Sequence, residues 1–235
     1  MSTVVRHAYA ERRHTYVDVF DPRVQRQGQG PDAITPILLV HGGYWRPRYS
    51  SSYLSPFAKA LAAKGYRVGN SEYRRIPGCP DIYVKDVIAA AEWFAEHAGA
   101  APLLVGHSVG AQLAIMACSA GAPARAVLLL APVCDLRSAR HLAISDNAVT
   151  QYLGAHRIND WDPRLVTTPV REIAIHSPVD LASPIEQSRS RAVAGRCELI
   201  EVENSGHYGV VNPLDMAFTV TLRAIKNLTR QYPVA

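Results

Sequence analysis

Three residues stand in a chain order that suits acyl-transfer chemistry: Ser108, then Asp180, then His207. A serine hydroxyl is a weak nucleophile near neutral pH and needs a base within hydrogen-bond reach, itself oriented by an acid. Ser108 lies in Leu103-Leu104-Val105-Gly106-His107-Ser108-Val109-Gly110-Ala111, where an apolar run ends in Gly-x-Ser-x-Gly and passes at once into a helical pattern. Strand, sharp turn and helix together form a nucleophile elbow. Only residues with almost no side chain can flank such a turn, hence Gly106 and Gly110. The helix that follows aims its amide N–H groups and positive dipole end at the reacting oxygen. The five-residue pattern alone also fits a Gly-rich turn whose serine merely caps a helix. The flanking strand and helix, with two further motifs, favour the nucleophile.

The base expected after the last strand is His207, in Asn204-Ser205-Gly206-His207-Tyr208, a turn that could swing an imidazole over Ser108. His176 is the rival, but it ends a strand where the acid is expected. His107, next to the serine, should point elsewhere. The preferred acid is Asp180, in Ser177-Pro178-Val179-Asp180, with Asp135 as competitor and Glu186 third. Its role would be to accept the imidazole N–H, fix the tautomer and stabilise the imidazolium. The developing oxyanion needs backbone donors. Val109 should supply one. The turn His41-Gly42-Gly43-Tyr44 should supply the others from Gly42, Gly43 and Tyr44, since paired glycines let the backbone approach the substrate closely.

The elements that must hold these residues read as alternating strand and helix. Residues 13–21 alternate polar and apolar, which suggests antiparallel strands opening the domain. A Gly-, Gln- and Pro-rich loop follows over 25–36. Ile37-Leu38-Leu39-Val40 is an apolar run suited to a strand covered on both faces. Helices are expected over 53–64 and 81–97, and strands over 66–74, 126–131, 171–176 and 197–202. A helix over 185–194 and a last one from Asn212-Pro213 to about Arg230 complete the series. Between Pro132 and Pro169 the alternation lapses, leaving two readings: a small cap over the site, or one ordinary crossover helix with long loops. Strands separated by helices imply a mostly parallel twisted sheet with helices on both faces, with sites gathered at the carboxyl ends of its strands.

At 235 residues the chain suits one α/β domain and is too short for two of ordinary size. Hydrophobic residues at 48% and charged residues at 19% exclude a disordered or coiled-coil protein. The net charge of +5 is spread over scattered arginines without a basic block or aromatic-interleaved patch, so no nucleic-acid partner is expected. No apolar run approaches membrane-spanning length, and Met1 to His7 lack an apolar leader core. A cytoplasmic protein with reduced cysteines is expected, and Cys118 and Cys134 read as small buried hydrophobes. A small-molecule substrate, no membrane contact and a monomer or homodimer complete the expectation.

His41-Gly42-Gly43-Tyr44-Trp45 after a buried strand, Gly106-His107-Ser108-Val109-Gly110, Asp180 and His207 together resemble the kynurenine formamidases (arylformamidases) of the α/β-hydrolase fold. The H-G-G-x-W form differs from the H-G-G-G form of hormone-sensitive-lipase-like esterases, and Ser71-Glu72-Tyr73-Arg74 looks like the Tyr-Arg exit loop of the group. The resemblance implies hydrolysis of N-formyl-L-kynurenine to kynurenine and formate, in tryptophan catabolism, with no metal or cofactor. It carries over Ser108 as nucleophile, Asp180 and His207 as its partners, and Gly42, Gly43 and Val109 as the oxyanion site. Residues 132–169 and 177–186, where substrate choice would lie, depart from the family pattern. A formyl group is one carbon, so Tyr44 could nearly close the acyl side. Trp45 would stack on an aryl amine or simply pack the loop, and Arg46 and Arg48 would pair a substrate carboxylate or remain solvated. The alternative is a carboxylesterase acting on small acyl or aryl esters, which would use the same catalytic residues.

Overall fold

The computed structural model describes residues 4–22 and 36–229. The loop expected over 25–36 therefore lies, except for residue 36, outside the described residues, as do Met1 to Thr3 and the expected helix end at Arg230. Eight strands form one sheet: β1 (Val4–Ala8), β2 (Tyr16–Phe20), β3 (Ile37–Val40), β4 (Val68–Glu72), β5 (Leu103–His107), β6 (Ala126–Leu130), β7 (Glu172–His176) and β8 (Glu198–Glu201). Their order is β1-β2-β4-β3-β5-β6-β7-β8. β2 runs antiparallel to both β1 and β4, and every other neighbouring pair is parallel. The protein thus has the α/β-hydrolase fold anticipated above.

The apolar runs form the central strands because helices cover both faces, so successive side chains enter two cores. Leu38 and Val40 of β3 join Leu104, Val127, Leu129 and Ala174 on one side. Ile37 and Leu39 join Leu103, Val105, Leu128, Ile173 and Ile175 on the other. The first side is filled by α2 (Pro80–Ala98) and α3 (Val109–Ser119), the second by α1 (Ser55–Ala63) and α8 (Ala217–Thr229). Pro80 opens α2 in the first turn, where no donor is lost, and Gly99 closes it in a left-handed conformation, φ +73°.

Residues 132–169 contain α4 (Leu136–His141), α5 (Ile144–Leu153) and two short 3₁₀ turns. Leu136, Ala139, Val149, Tyr152 and Leu153 are buried in the same core as α2 and α3, so this crossover is packed into the domain. Ala143, Ser145, Asp146 and Asn147 all have positive φ, and the chain turns left-handed before α5 becomes regular. The last helix starts later than Asn212: its side-chain oxygen accepts the Leu214 amide at 3.0 Å, and Asp215 accepts the Ala217 amide at 2.9 Å. Both carboxamide and carboxylate hold turns rather than helix. A one-turn helix, α7 (Gly206–Gly209), precedes them and carries His207. α6 (Glu186–Val193) lies between β7 and β8 in the chain. No helix among the described residues is long and apolar enough to cross a membrane.

Candidate active site

The chain leaves β3 for β4 on one side and returns to β5 on the other, so the carboxyl ends of β3 and β5 flank the point where the winding reverses. The His41-Gly42-Gly43 turn and Ser108 sit at those two ends. Ser108 has φ +58° and ψ −125°, a conformation a non-glycine residue adopts only under strain. Its amide donates to the Leu130 carbonyl at 2.9 Å, and its carbonyl accepts from Ala111 at 3.0 Å and Val133 at 3.2 Å, so three neighbouring segments hold the strained turn. Ser108 occupies the N-cap position of α3, yet its side chain makes no capping bond. The mere-cap alternative therefore fails. A Cβ at Gly106 would collide with the backbone of Ala111, and one at Gly110 with the carbonyls of Val40 and His41.

Asp180 follows β7 and His207 lies in α7, and the two meet: His207 Nδ1 donates to Asp180 Oδ2 at 2.7 Å. The other carboxylate oxygen accepts the amides of Ala182 at 2.8 Å and Ser183 at 2.9 Å. Burial pushes the Asp180 carboxyl up, but hydrogen bonds from His176 and His207, the His207 charge and the Ser183 amide outweigh it. The group is held well below the usual carboxylate range. Asp135 is placed elsewhere: its carboxylate caps α4 by accepting the Ser138 amide at 2.8 Å. Glu186, in the first turn of α6, lies 3.4 Å from Arg189. His176, the rival base, is fully buried. Its Nε2 faces two acceptors, Asp180 Oδ2 at 3.2 Å and the Ser183 carbonyl at 2.9 Å, so Nε2 carries the proton and Nδ1 accepts from Ser188 Oγ at 2.7 Å. Its position is behind the acid.

The ring of His107 lies beside that of His207, centroids 4.8 Å apart, which puts the residue before the serine next to the imidazole. Among the described residues the Ser108 hydroxyl makes no hydrogen bond, and the Ser108 side chain is almost fully enclosed.

The H-G-G turn requires one correction. Gly42 was expected to offer its amide to the oxyanion, but that N–H donates to Tyr53 Oη at 2.7 Å and is already used. Gly42 is needed for proximity instead, since a Cβ there would lie 2.7 Å from Ser108 Cβ. Gly43, Tyr44 and Trp45 all have positive φ, at +110°, +53° and +54°, and a Cβ on Gly43 would strike Tyr49. Among the described residues no acceptor engages the amides of Gly43, Tyr44 or Val109. Val109 is the first residue of α3, where helix geometry supplies none.

The same backbone turn sends Trp45 inward, which corrects its expected place against a substrate. The indole is 3% exposed, stacks on Tyr152 at 4.5 Å and donates to Gln112 Oε1 at 3.1 Å. It packs the loop onto α3 and α5. Arg46 is likewise withdrawn from substrate: its guanidinium donates to the carbonyls of Ser145 and Asp146, pinning the left-handed first turn of α5. Arg48 stays exposed, with its guanidinium 5.1 Å from the Tyr49 ring centre. Tyr44 is half-buried, its ring lies 6.4 Å from that of Tyr49, and burial with the nearby Tyr208 and Asp180 raises its pKa.

Sequence reasoning missed a buried polar group beneath the turn. His41 stacks on Tyr73 at 4.3 Å and shares Glu72 with Arg75: Nε2 lies 2.9 Å from Glu72 Oε1, and Arg75 donates to the same oxygen. Glu72 Oε2 accepts the Ser51 amide at 2.9 Å, and Tyr73 Oη donates to the His41 carbonyl at 2.8 Å. Burial pushes Glu72 up, yet the hydrogen bond and charge of His41, with Arg75, outweigh it and lower its pKa to about 2. The available signal was Ser71-Glu72-Tyr73-Arg74, whose acidic residue ends a fully buried strand.

A family model described as alpha/beta hydrolase fold matches residues 37–203, well over half of the chain. The chain belongs to that α/β-hydrolase family. No curated protein matches the sequence. Among solved structures, esterase 2 of Thermogutta terrifontis phosphoramylated by tabun is 21% identical, with TM-score 0.72, covering 95% of this chain and 92% of its own. The butyrate-bound form of that esterase gives 19% and 0.71 over the same shares. Esterase B from Lactobacillus rhamnosis, solved with a tributyrin phosphonate, is 15% identical with TM-score 0.78, covering 97% and 86%. At these identities the likeness is one of fold.

Proposed function

We propose that this protein is a serine hydrolase that cleaves esters of small acyl groups through an acyl-enzyme on Ser108. In the reaction, Ser108 Oγ attacks the ester carbonyl while His207 Nε2 takes its proton. Asp180 keeps the Nδ1 proton in place and balances the imidazolium. The amides of Gly43, Tyr44 and Val109 receive the oxyanion. His207 then returns the proton to the departing alkoxide, and water repeats the sequence on the acyl-enzyme. The observation that carries the reading is a serine strained at a helix start with its hydroxyl left uncommitted, while an Asp–His pair forms at the adjacent strand ends.

Esters are preferred over the formamide because Trp45, the residue that could have stacked on an aryl amine, is buried against Tyr152 and packs the loop. The fold neighbours named above are esterases, one with butyrate bound. Hydrolysis of N-formyl-L-kynurenine stays as the second reading, supported by the H-G-G-x-W form of the turn. Comparing kcat/KM for p-nitrophenyl acetate and butyrate with that for N-formyl-L-kynurenine decides between them. A formamide value above both esters would reverse the preference. Failure of a fluorophosphonate probe to label Ser108 in the intact protein would reject both.

A further inference from the structure

Gly42, Tyr53, His107 and His207 form one hydrogen-bonded chain whose proton directions are forced by its ends. The Gly42 amide can only donate, and it meets Tyr53 Oη at 2.7 Å. The His207 carbonyl can only accept, and it meets His107 Nε2 at 3.0 Å. His107 Nε2 must therefore carry a proton, and its Nδ1, 2.8 Å from Tyr53 Oη, accepts the phenolic hydrogen of a neutral ring. Tyr53 is thus acceptor from the H-G-G turn and donor to the elbow, while His107 is acceptor from Tyr53 and donor to the loop that bears the base.

We propose that Tyr53 and His107 are positioning residues that hold the oxyanion turn and the backbone of His207 at a set distance from Ser108. The inference rests on the hydrolase reading above. With Gly42 N–H tied to Tyr53, the peptide before Gly42 is fixed, and the Gly42 carbonyl, 2.7 Å from His41 Nδ1, holds the one after it. The Gly43 amide is thereby kept from turning, and no acceptor engages it or the Tyr44 amide among the described residues. With its carbonyl tied to His107, His207 is held at its main chain as well as by Asp180 at Nδ1. The imidazole then cannot move from its place between Asp180 and His107 without breaking a buried bond. The chain spans residues 42, 53, 107 and 207, so it ties the turn after β3, the short 3₁₀ helix Ser51–Leu54, the end of β5 and α7 to one another.

Tyr53→Phe is the sharpest variant, because the ring keeps its contacts with His107 and Tyr208, centroids 5.6 and 6.2 Å away, and loses only the hydroxyl. A misplacement of this kind costs about tenfold to a hundredfold in kcat, with KM within about threefold. Fluorophosphonate labelling of Ser108 should slow in parallel. His107→Leu should behave alike, and His107→Gln, which can again donate to the His207 carbonyl, should recover a large part of the loss. A merely structural role would lower the melting temperature without splitting kcat from KM or rescuing with Gln. Nitrogen-15 NMR of the wild-type imidazoles supplies a readout besides turnover, with His107 expected as the Nε2–H tautomer. Tyr53→Phe turning over within about twofold of wild type, or His107 found as the Nδ1–H form, would overturn the inference. So would wild type that never labels at Ser108, a result that fails the hydrolase reading first. Should His107→Leu not fold, Tyr53→Phe and the tautomer decide alone.

Discussion

Replacing His107 with glutamine should flatten the acid side of the stability curve. The imidazole is 2% exposed, and burial, with the neighbouring His207 charge, lowers its pKa to about 3 against the opposing pull of the His207 carbonyl and Asp180. In the unfolded chain the value returns to roughly 6.5. Below pH 6.5 the unfolded state binds a proton that the native state refuses until about pH 3. Stability is therefore full above about pH 6.5, falls as the pH drops through the window, and stops falling below the native value. At 1.36 kcal/mol per unit, the whole window amounts to about 5 kcal/mol, of which about 3 kcal/mol is lost between pH 7 and pH 4. That loss is large beside a domain stability of roughly 5–15 kcal/mol. Urea unfolding of wild type and His107→Gln at pH 7, 6, 5 and 4 measures it. Glu72 and Asp180 also lose stabilising charge as the pH falls, but they are common to both proteins and cancel in the difference. Parallel curves, differing by less than about 1 kcal/mol in slope over this range, would show that His107 is not held neutral by its surroundings.

Ser108→Ala and His207→Ala should each lower kcat by about four to six orders of magnitude, and the double variant should lose little more, because the two act as one unit. Additive losses in ester turnover would contradict that. Gly42→Ala should cost about a hundredfold in kcat/KM, since the new methyl would sit 2.7 Å from Ser108 Cβ and 2.8 Å from the His107 carbonyl. Unchanged turnover would mean the turn can retreat without harm. Glu172→Ala should destabilise the fold by about 3–5 kcal/mol in urea titration, because it strands a fully buried cation. Arg191 forms two 2.6 Å bonds with Glu172 and is 0% exposed, so a shift under about 1 kcal/mol would refute the account.

Much of this protein could be read from residue order because the determining forces are local or periodic. Ile37–Val40 and Ala126–Leu130 are continuous apolar runs, which only a strand covered on both faces can bury. Gly106 and Gly110 announce the elbow because a side chain at either position meets backbone. Asp180 and His207 were legible from their place after the last two parallel strands, although only the tertiary structure separates Asp180 from Asp135: one meets His207, the other caps a helix.

What residue order could not convey is where a side chain turns and what a lone polar group meets across the fold. Three successive left-handed residues send Trp45 into the core, and no periodicity marks that rotation. Tyr53 bonds His107 across 54 positions, and His41 reaches Glu72 across 31. Hydrogen bonds act over about 3 Å and depend on direction, so they leave no repeating trace in a chain. They exist only once the sheet has brought the strand ends together. The residues of the proposed chemistry could therefore be picked out in the sequence, while the bracing that would hold them in register belongs to the folded molecule.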